Sequence, residues 1–244
     1  LPALVAAVAA GGATATPYLQ DMAFYSASSL AGIVKADLEL AMRVADEPRA
    51  LTTLMAVVAA SCAVDAFNLQ DMAGNCMCLL ASILSTSPEL ARQVATAGGA
   101  LQALLVAMAS GGDAASTCAK AMVTIAGADP ALAQLVADVP GALSALVAAV
   151  AAGGAGAAST SQATAANSAL VLAHIGSASP GLAQHVADVE GTLPALIAGM
   201  GSGGDTATNC AEALGCIAGA DPALAQRVAK APGALPALVA AVAA

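Results

Sequence analysis

Few side chains of this 244-residue chain could do chemistry, and their spacing excludes most of it. Its six cysteines fall at positions 62, 76, 78, 118, 210 and 216, with neither a CxxC pair nor a Cys/His framework. Cys76 and Cys78 stand two apart and point in different directions on a helix. A tetrahedral metal site needs convergent ligands, so no metal is expected and the thiols read as reduced core residues. His174 and His185 have no carboxylate or nucleophile at the spacing of a catalytic triad or an HExxH helix. The Gly-Gly pairs lack the lysine of a phosphate-binding loop. No catalytic residue and no cofactor is therefore expected. An enzyme or cofactor carrier would need groups converging from distant positions.

What does recur is a polar stripe. Positions 71, 75, 78 and 82 are spaced by four, three and four, so they share one helix face. The same stripe reads Asp113, Thr117, Lys120, Thr124 further on, and Asp205, Asn209, Glu212, Cys216 later still. Asn75, Thr117, Asn167 and Asn209 then stack from unit to unit, with Tyr25 in that place first and His174 on the same stripe. An Asn side chain both donates and accepts, so a ladder of them is able to pair with the backbone of an extended segment. The plainer use of such residues is to bond neighbouring helix ends or to face water. Asp21, Asp71, Asp113 and Asp205 occupy the column expected to open each helix, where a carboxylate caps free N–H groups; Ala163 replaces it once. Cys76, Cys118 and Cys210, with Ser26 and Ser168, share the next column, where a small side chain suits helix packing.

These stripes need helices to carry them, and a repeat supplies the helices. The motif LxxLVAAV or a close variant begins at Leu1, Leu51, Leu101, Leu143, Leu193 and Leu235. The chain thus divides into units 1–50, 51–100, 101–142, 143–192 and 193–234, with a partial unit 235–244. Ile33, Ile83, Ile125, Ile175 and Ile217 form one column; Leu40, Leu90, Leu132, Leu182 and Leu224 form another. Each unit reads as three helices. The first follows Ser87-Pro88, Asp129-Pro130, Ser179-Pro180 or Asp221-Pro222, where a capping oxygen precedes a proline whose missing N–H costs nothing. It ends near Gly99, Gly141, Gly191 or Gly233. The second sets Leu143, Leu146, Val147 and Val150 on one apolar face and stops at Gly111-Gly112, Gly153-Gly154 or Gly203-Gly204. The third runs from the Asp column to the Ile column. The longer units carry eight extra residues before it, at 13–20, 63–70 and 155–162, as longer loops or two added turns. The stripe positions lie off the apolar columns. Units of this kind bury their faces only by stacking, so a continuous solenoid is expected. The same second helix opens and closes the chain, which reads as a segment of a longer array.

Composition agrees. Hydrophobic residues make up 59% but aromatics only 2%, so the core is built from Ala, Val and Leu, which favour helices that approach closely. The net charge of −9, with seven dispersed basic residues, argues against a nucleic-acid backbone as partner. Gly-Gly, Pro, Asp and Gln interrupt every apolar run before it could span a membrane. Tyr18, Phe24, Tyr25 and Phe67 all fall in the first two units, so an aromatic anchor for a partner would sit there; core filling is the commoner use of such Phe residues.

The string Gly233-Ala234-Leu235-Pro236-Ala237-Leu238-Val239, the 42-residue units and the three-helix order resemble armadillo repeats of the importin-α and β-catenin kind over the whole chain. The resemblance implies an all-α, right-handed solenoid whose third helices line a concave groove. Peptide-binding members carry a Trp and, four residues on, an Asn that grips the ligand backbone. Here Ser28, Cys78, Lys120, Leu170 and Glu212 fill the Trp position, and Gly32, Ser82, Thr124, His174 and Cys216 the Asn position. An importin-like grip on basic peptides is therefore not implied.

The function expected is non-enzymatic protein–protein interaction. A protein or peptide segment would lie along the third helices, against Asp71, Asn75, Asp113, Thr117, Lys120, Asn167, His174, Asp205, Asn209 and Glu212. The alternative is a scaffold subunit of a large assembly that uses the edges and ends of the solenoid. A cytoplasmic or nuclear location is expected.

Overall fold

The computed structural model describes residues 2–10, 17–36, 38–46, 50–61, 67–85, 87–97 and 99–243; within these the side chains of Asp71 and Phe67, among others, lie outside the description. Among the described residues there are sixteen helices and no strand. The second helices of the repeats are α1 (Pro2–Ala10), α4 (Ala50–Ser61), α7 (Ala100–Ala109), α10 (Ala142–Ala152), α13 (Thr192–Met200) and α16 (Ala234–Ala243). The third helices are α2 (Pro17–Ala36), α5 (Phe67–Leu84), α8 (Gly112–Ala128), α11 (Ser159–Ala178) and α14 (Gly204–Ala220). The first helices are α3 (Leu38–Ala45), α6 (Pro88–Thr96), α9 (Pro130–Asp138), α12 (Pro180–Asp188) and α15 (Pro222–Lys230).

The starts of the first helices follow the sequence. Asp129 Oδ1 accepts from Ala131 N at 2.8 Å, and Asp221 Oδ1 from Ala223 N at 2.6 Å. Ser87 and Ser179 accept from Glu89 N and Leu182 N, each at 3.2 Å. Each such cap is worth about 1 kcal/mol against Ala. The joint to the second helix is a glycine at φ between 78° and 84°: Gly99, Gly141, Gly191 and Gly233. L side chains avoid that region, which is why the repeat spends a glycine there.

The third helices depart from expectation at their starts. The Asp column does not open the long ones: α2 begins four residues before Asp21 and α5 four before Asp71. In the fourth unit α11 begins four residues before Ala163. In the fourth unit the insertion therefore gives one extra helical turn, not two; in the first two units the helix reaches at least one turn before the Asp column, and the rest of those insertions lies outside the described residues. The rest of the fourth unit's insertion is a turn closed by Ala157 N donating to Gly154 O at 3.0 Å. Nor does Asp205 cap α14. That helix starts at Gly204, its cap position is Gly203, and no side chain bonds the cap. Asp205 lies within the first turn, where its charge favours the helix dipole without a hydrogen bond. The extra turn was hidden because Leu-Gln-Asp-Met continues a helical pattern as well as it starts one.

The chain separates into two compact units, Leu1–Ile125 and Ala126–Ala244. In the first, α1 packs on α2 and α4, α4 on α5 and α7, and α2 runs along α5. Leu30, Leu54, Leu80, Ile83, Leu104 and Ile125 are fully enclosed there. In the second, α10 packs on α11 and α13, α13 on α14 and α16, and α11 runs along α14. Leu146, Leu172, Ile175, Leu196 and Ile217 fill that core. Burying one such side chain stabilises by about 1.5–3 kcal/mol. The helices close up through small residues: an added Cβ at Gly176 of α11 would lie 3.6 Å from Cys216 Cβ of α14.

Candidate functional site

Along the third helices the stripe positions are the ones left partly open. In the first unit Asp21, Tyr25, Ser28 and Gly32 of α2 are exposed, Asn75, Cys78 and Ser82 of α5 are half-buried, and Asp113 and Lys120 of α8 are exposed. In the second unit Asn167, Leu170 and His174 of α11 and Asn209 of α14 are half-buried, while Asp205 and Glu212 are exposed. Residues next to them, such as Cys76, Ser168 and Cys210, are fully enclosed. The stripe is thus the outward edge of a helix whose opposite face makes the core. Asp71's side chain lies outside the described residues.

The hydroxyls and amides on this edge already have uses. Thr117 Oγ1 donates to Asp113 O at 3.1 Å, Thr124 to Lys120 O at 3.2 Å and Ser82 to Cys78 O at 2.8 Å, all within their own helices. Asn209 Nδ2 donates to Ala166 O of α11 at 2.8 Å, and Thr206 Oγ1 donates to Gln162 O of α11 at 3.2 Å. These two residues stand one turn apart and stitch α14 to α11. Asn209 stands off the apolar columns, as expected, yet its amide joins α14 to α11. Asn167 is not without a partner either. His174 lies over Gly127, in the last turn of α8, where an added Cβ would come within 3.0 Å of its Nε2.

The cysteines behave as core residues. Burial pushes the Cys76 and Cys210 thiols up to about 12, so neither supplies a thiolate near neutral pH. Cys216 is raised too, by burial and by the Glu212 charge. Away from the stripe, Asp188 at the end of α12 accepts from Gln184 Nε2 and from Arg227 of α15, and those hydrogen bonds hold its carboxyl below the usual value. Arg227 also donates to Ala187 O at 2.7 Å, tying consecutive first helices together. Among the described residues no single helix is long and apolar enough to cross a membrane.

Composition located the aromatics but not their exposure. Tyr18 is 76% and Tyr25 67% exposed on α2. With Leu4, Met22 and Ser29 they line a hollow of about 470 Å³. Phe24 is half-buried and meets the Tyr25 ring edge-on, with centroids 5.2 Å apart.

Three-helix units capped by Ser/Asp-Pro, jointed by a left-handed glycine and packed third helix on third helix define a helical repeat protein. The fold is of the armadillo type: all-α, a solenoid of three-helix repeats. Designed armadillo repeat proteins made for modular peptide recognition match with a TM-score of 0.78 at 20% identity, over 97% of this chain and 90% of theirs. A designed armadillo repeat protein in complex with a (KR)4 peptide matches with 0.77 at 20%, over 97% and 89%. An engineered protein matches with 0.77 at 24% identity, over 97% and 89%. No family model matches the sequence, and no curated protein matches it.

Proposed function

We propose that this chain is a non-enzymatic module that holds an extended peptide segment along the outward edge of its third helices. The observation that carries the reading is the polar, partly open stripe itself. Asn75, Asn167 and Asn209 recur one per helix, flanked by the exposed Lys120 and Glu212. The similar designed armadillo repeat protein with a bound (KR)4 peptide supports it. Asn209 commits one N–H to α11 and keeps its carbonyl for a ligand backbone. In each compact unit acidic side chains outnumber basic ones on this edge, Asp21 and Asp113 against Lys120 in the first and Asp205 and Glu212 in the second, so the segment favoured is one of net positive charge. Nucleic acid is not the partner proposed, because the same acidic edge repels phosphates.

The test is to select peptides from a random display library on the whole chain and then substitute the stripe. Asn75→Ala and Asn167→Ala should each weaken the selected peptide roughly two- to tenfold, since a shielded hydrogen bond contributes about 0.5–1.5 kcal/mol net. Glu212→Lys should weaken a basic peptide further and make binding less sensitive to salt. Peptides that cross-link only to loops or helix ends, with affinity indifferent to all three changes, would support the scaffold reading instead.

A further inference from the structure

Helix α13 and the first helix that follows it by one repeat, α15, leave an open groove of about 570 Å³ between them. Sites that hold a ligand commonly measure about 300–1,000 Å³. The floor is the buried Leu193 and the half-buried Ile197 of α13, with Pro194 on the rim. The wall is the face of α15 that carries Ala223, Arg227 and Lys230, spaced by four and three residues and all exposed. That face looks back into the array: Arg227 reaches from it to Asp188 and to Ala187 O of the preceding first helix, α12. Helix α13 has second helices on both sides, α10 and α16. The groove is thus a feature of two consecutive repeats inside the chain.

Its charge runs against that of the whole molecule. Seven basic residues stand against sixteen acidic ones in the sequence, yet two of the seven line this groove, and no carboxylate does so among the described residues. One repeat earlier the corresponding positions of α12 hold Gly181, His185 and Asp188, and Ser144 stands where Pro194 does. The apolar floor under a cationic wall therefore belongs to this pair of repeats and is not a by-product of the repeat pattern. Asp188 shows what the wall takes: its carboxylate already accepts from the Arg227 guanidinium. With Arg227 so engaged, Lys230 sets the sign of the groove.

We propose that this groove is a second binding site, separate from the third-helix stripe, and that it takes an acidic segment of a partner protein. An aliphatic or aromatic side chain of the segment covers Leu193 and Ile197, and an Asp or Glu carboxylate beside it pairs with Lys230. The charge preference is opposite to that of the stripe, so the two sites hold different segments and do not compete. A peptide fits the shape better than a free fatty acid. The groove is open on its outer side, whereas a small-ligand site encloses about 70–90% of its ligand; a lone acyl chain would stay wet here, and a peptide brings its own cover.

The experiment selects a random-peptide display library on the whole chain and measures the acidic clones as synthetic peptides by fluorescence anisotropy. Peptides with a bulky apolar residue beside Asp or Glu should emerge. Their binding should weaken at least about tenfold in Lys230→Glu and in Ala223→Glu, two changes at exposed positions whose folding circular dichroism checks, because a like charge then faces the carboxylate. Exchanging the acid of the peptide for Lys should recover binding to Lys230→Glu. An excess of a basic peptide selected on the stripe should not displace the acidic one. The proposal is overturned if no acidic peptide is selected, if the acidic peptides bind both variants as well as the unaltered chain, or if decanoate binds in a Lys230-dependent way and the peptides do not, which marks a site for a free amphiphile.

Discussion

Gly199 of α13 faces Cys210 of α14, and the geometry there fixes the sign of a double-mutant experiment. An added Cβ at Gly199 would come within contact distance of two ordinary neighbours, Cys210 Cβ and Val150 Cγ1 at 3.6 Å, but would collide with Cys210 Sγ. Cys210 is fully enclosed, so its sulfur has nowhere to go. Gly199→Ala should cost about 1–3 kcal/mol for overpacking, offset by up to about 1 kcal/mol of helix propensity. Cys210→Ala alone leaves a sulfur-sized void and should cost about 1 kcal/mol. In Gly199→Ala the same change removes the collision, and the new methyl fills the void, so there it should stabilise. The pair should be within about 1 kcal/mol of the unaltered chain, with a coupling energy of about 2 kcal/mol. Urea denaturation of the four proteins, followed by circular dichroism at 222 nm, reads this directly. Additive losses, with the double variant the least stable, would refute the account of how α13 and α14 fit.

Asn209→Ala should destabilise by no more than about 1.5 kcal/mol, because Ala166 O keeps its own helix bond and Ala favours helices; a larger loss in denaturant would mean that the stitch to α11 matters more than one hydrogen bond. Gly141→Ala, at φ +78°, should cost about 1–2 kcal/mol, and Gly141→Asn less, by thermal denaturation. Asp129→Ala should cost about 1 kcal/mol through the lost cap on α9. The folded state holds the Asp188 carboxyl below its usual value of 3.8. Its contribution is therefore complete above that value and lost as pH falls through the lower folded one. Arg227→Ala should flatten the fall in stability with acid in that range, and an unchanged pH profile would show that the pair contributes nothing.

The parts of the fold that were legible from residues are those set by neighbours in sequence. Ser or Asp before Pro placed the first helices, and the glycine joints and the Leu and Ile columns located their partners and cores. The starts of the third helices were not legible, because Pro17, Phe67 and Ser159 do not announce a helix more clearly than Asp21 or Asp71 announces one. The candidate stripe was visible as a spacing. What Asn209 does with its amide was not, since this depends on how close a carbonyl of the preceding repeat lies.

The enclosed thiols give this chain two built-in clocks. Cys76 lies in one compact unit and Cys210 in the other, and burial holds both near 12. A thiol reagent thus finds almost no thiolate until a repeat swings open. Labelling rates of the native chain, resolved by peptide mass, would time the opening of each half separately, in a single unmodified protein.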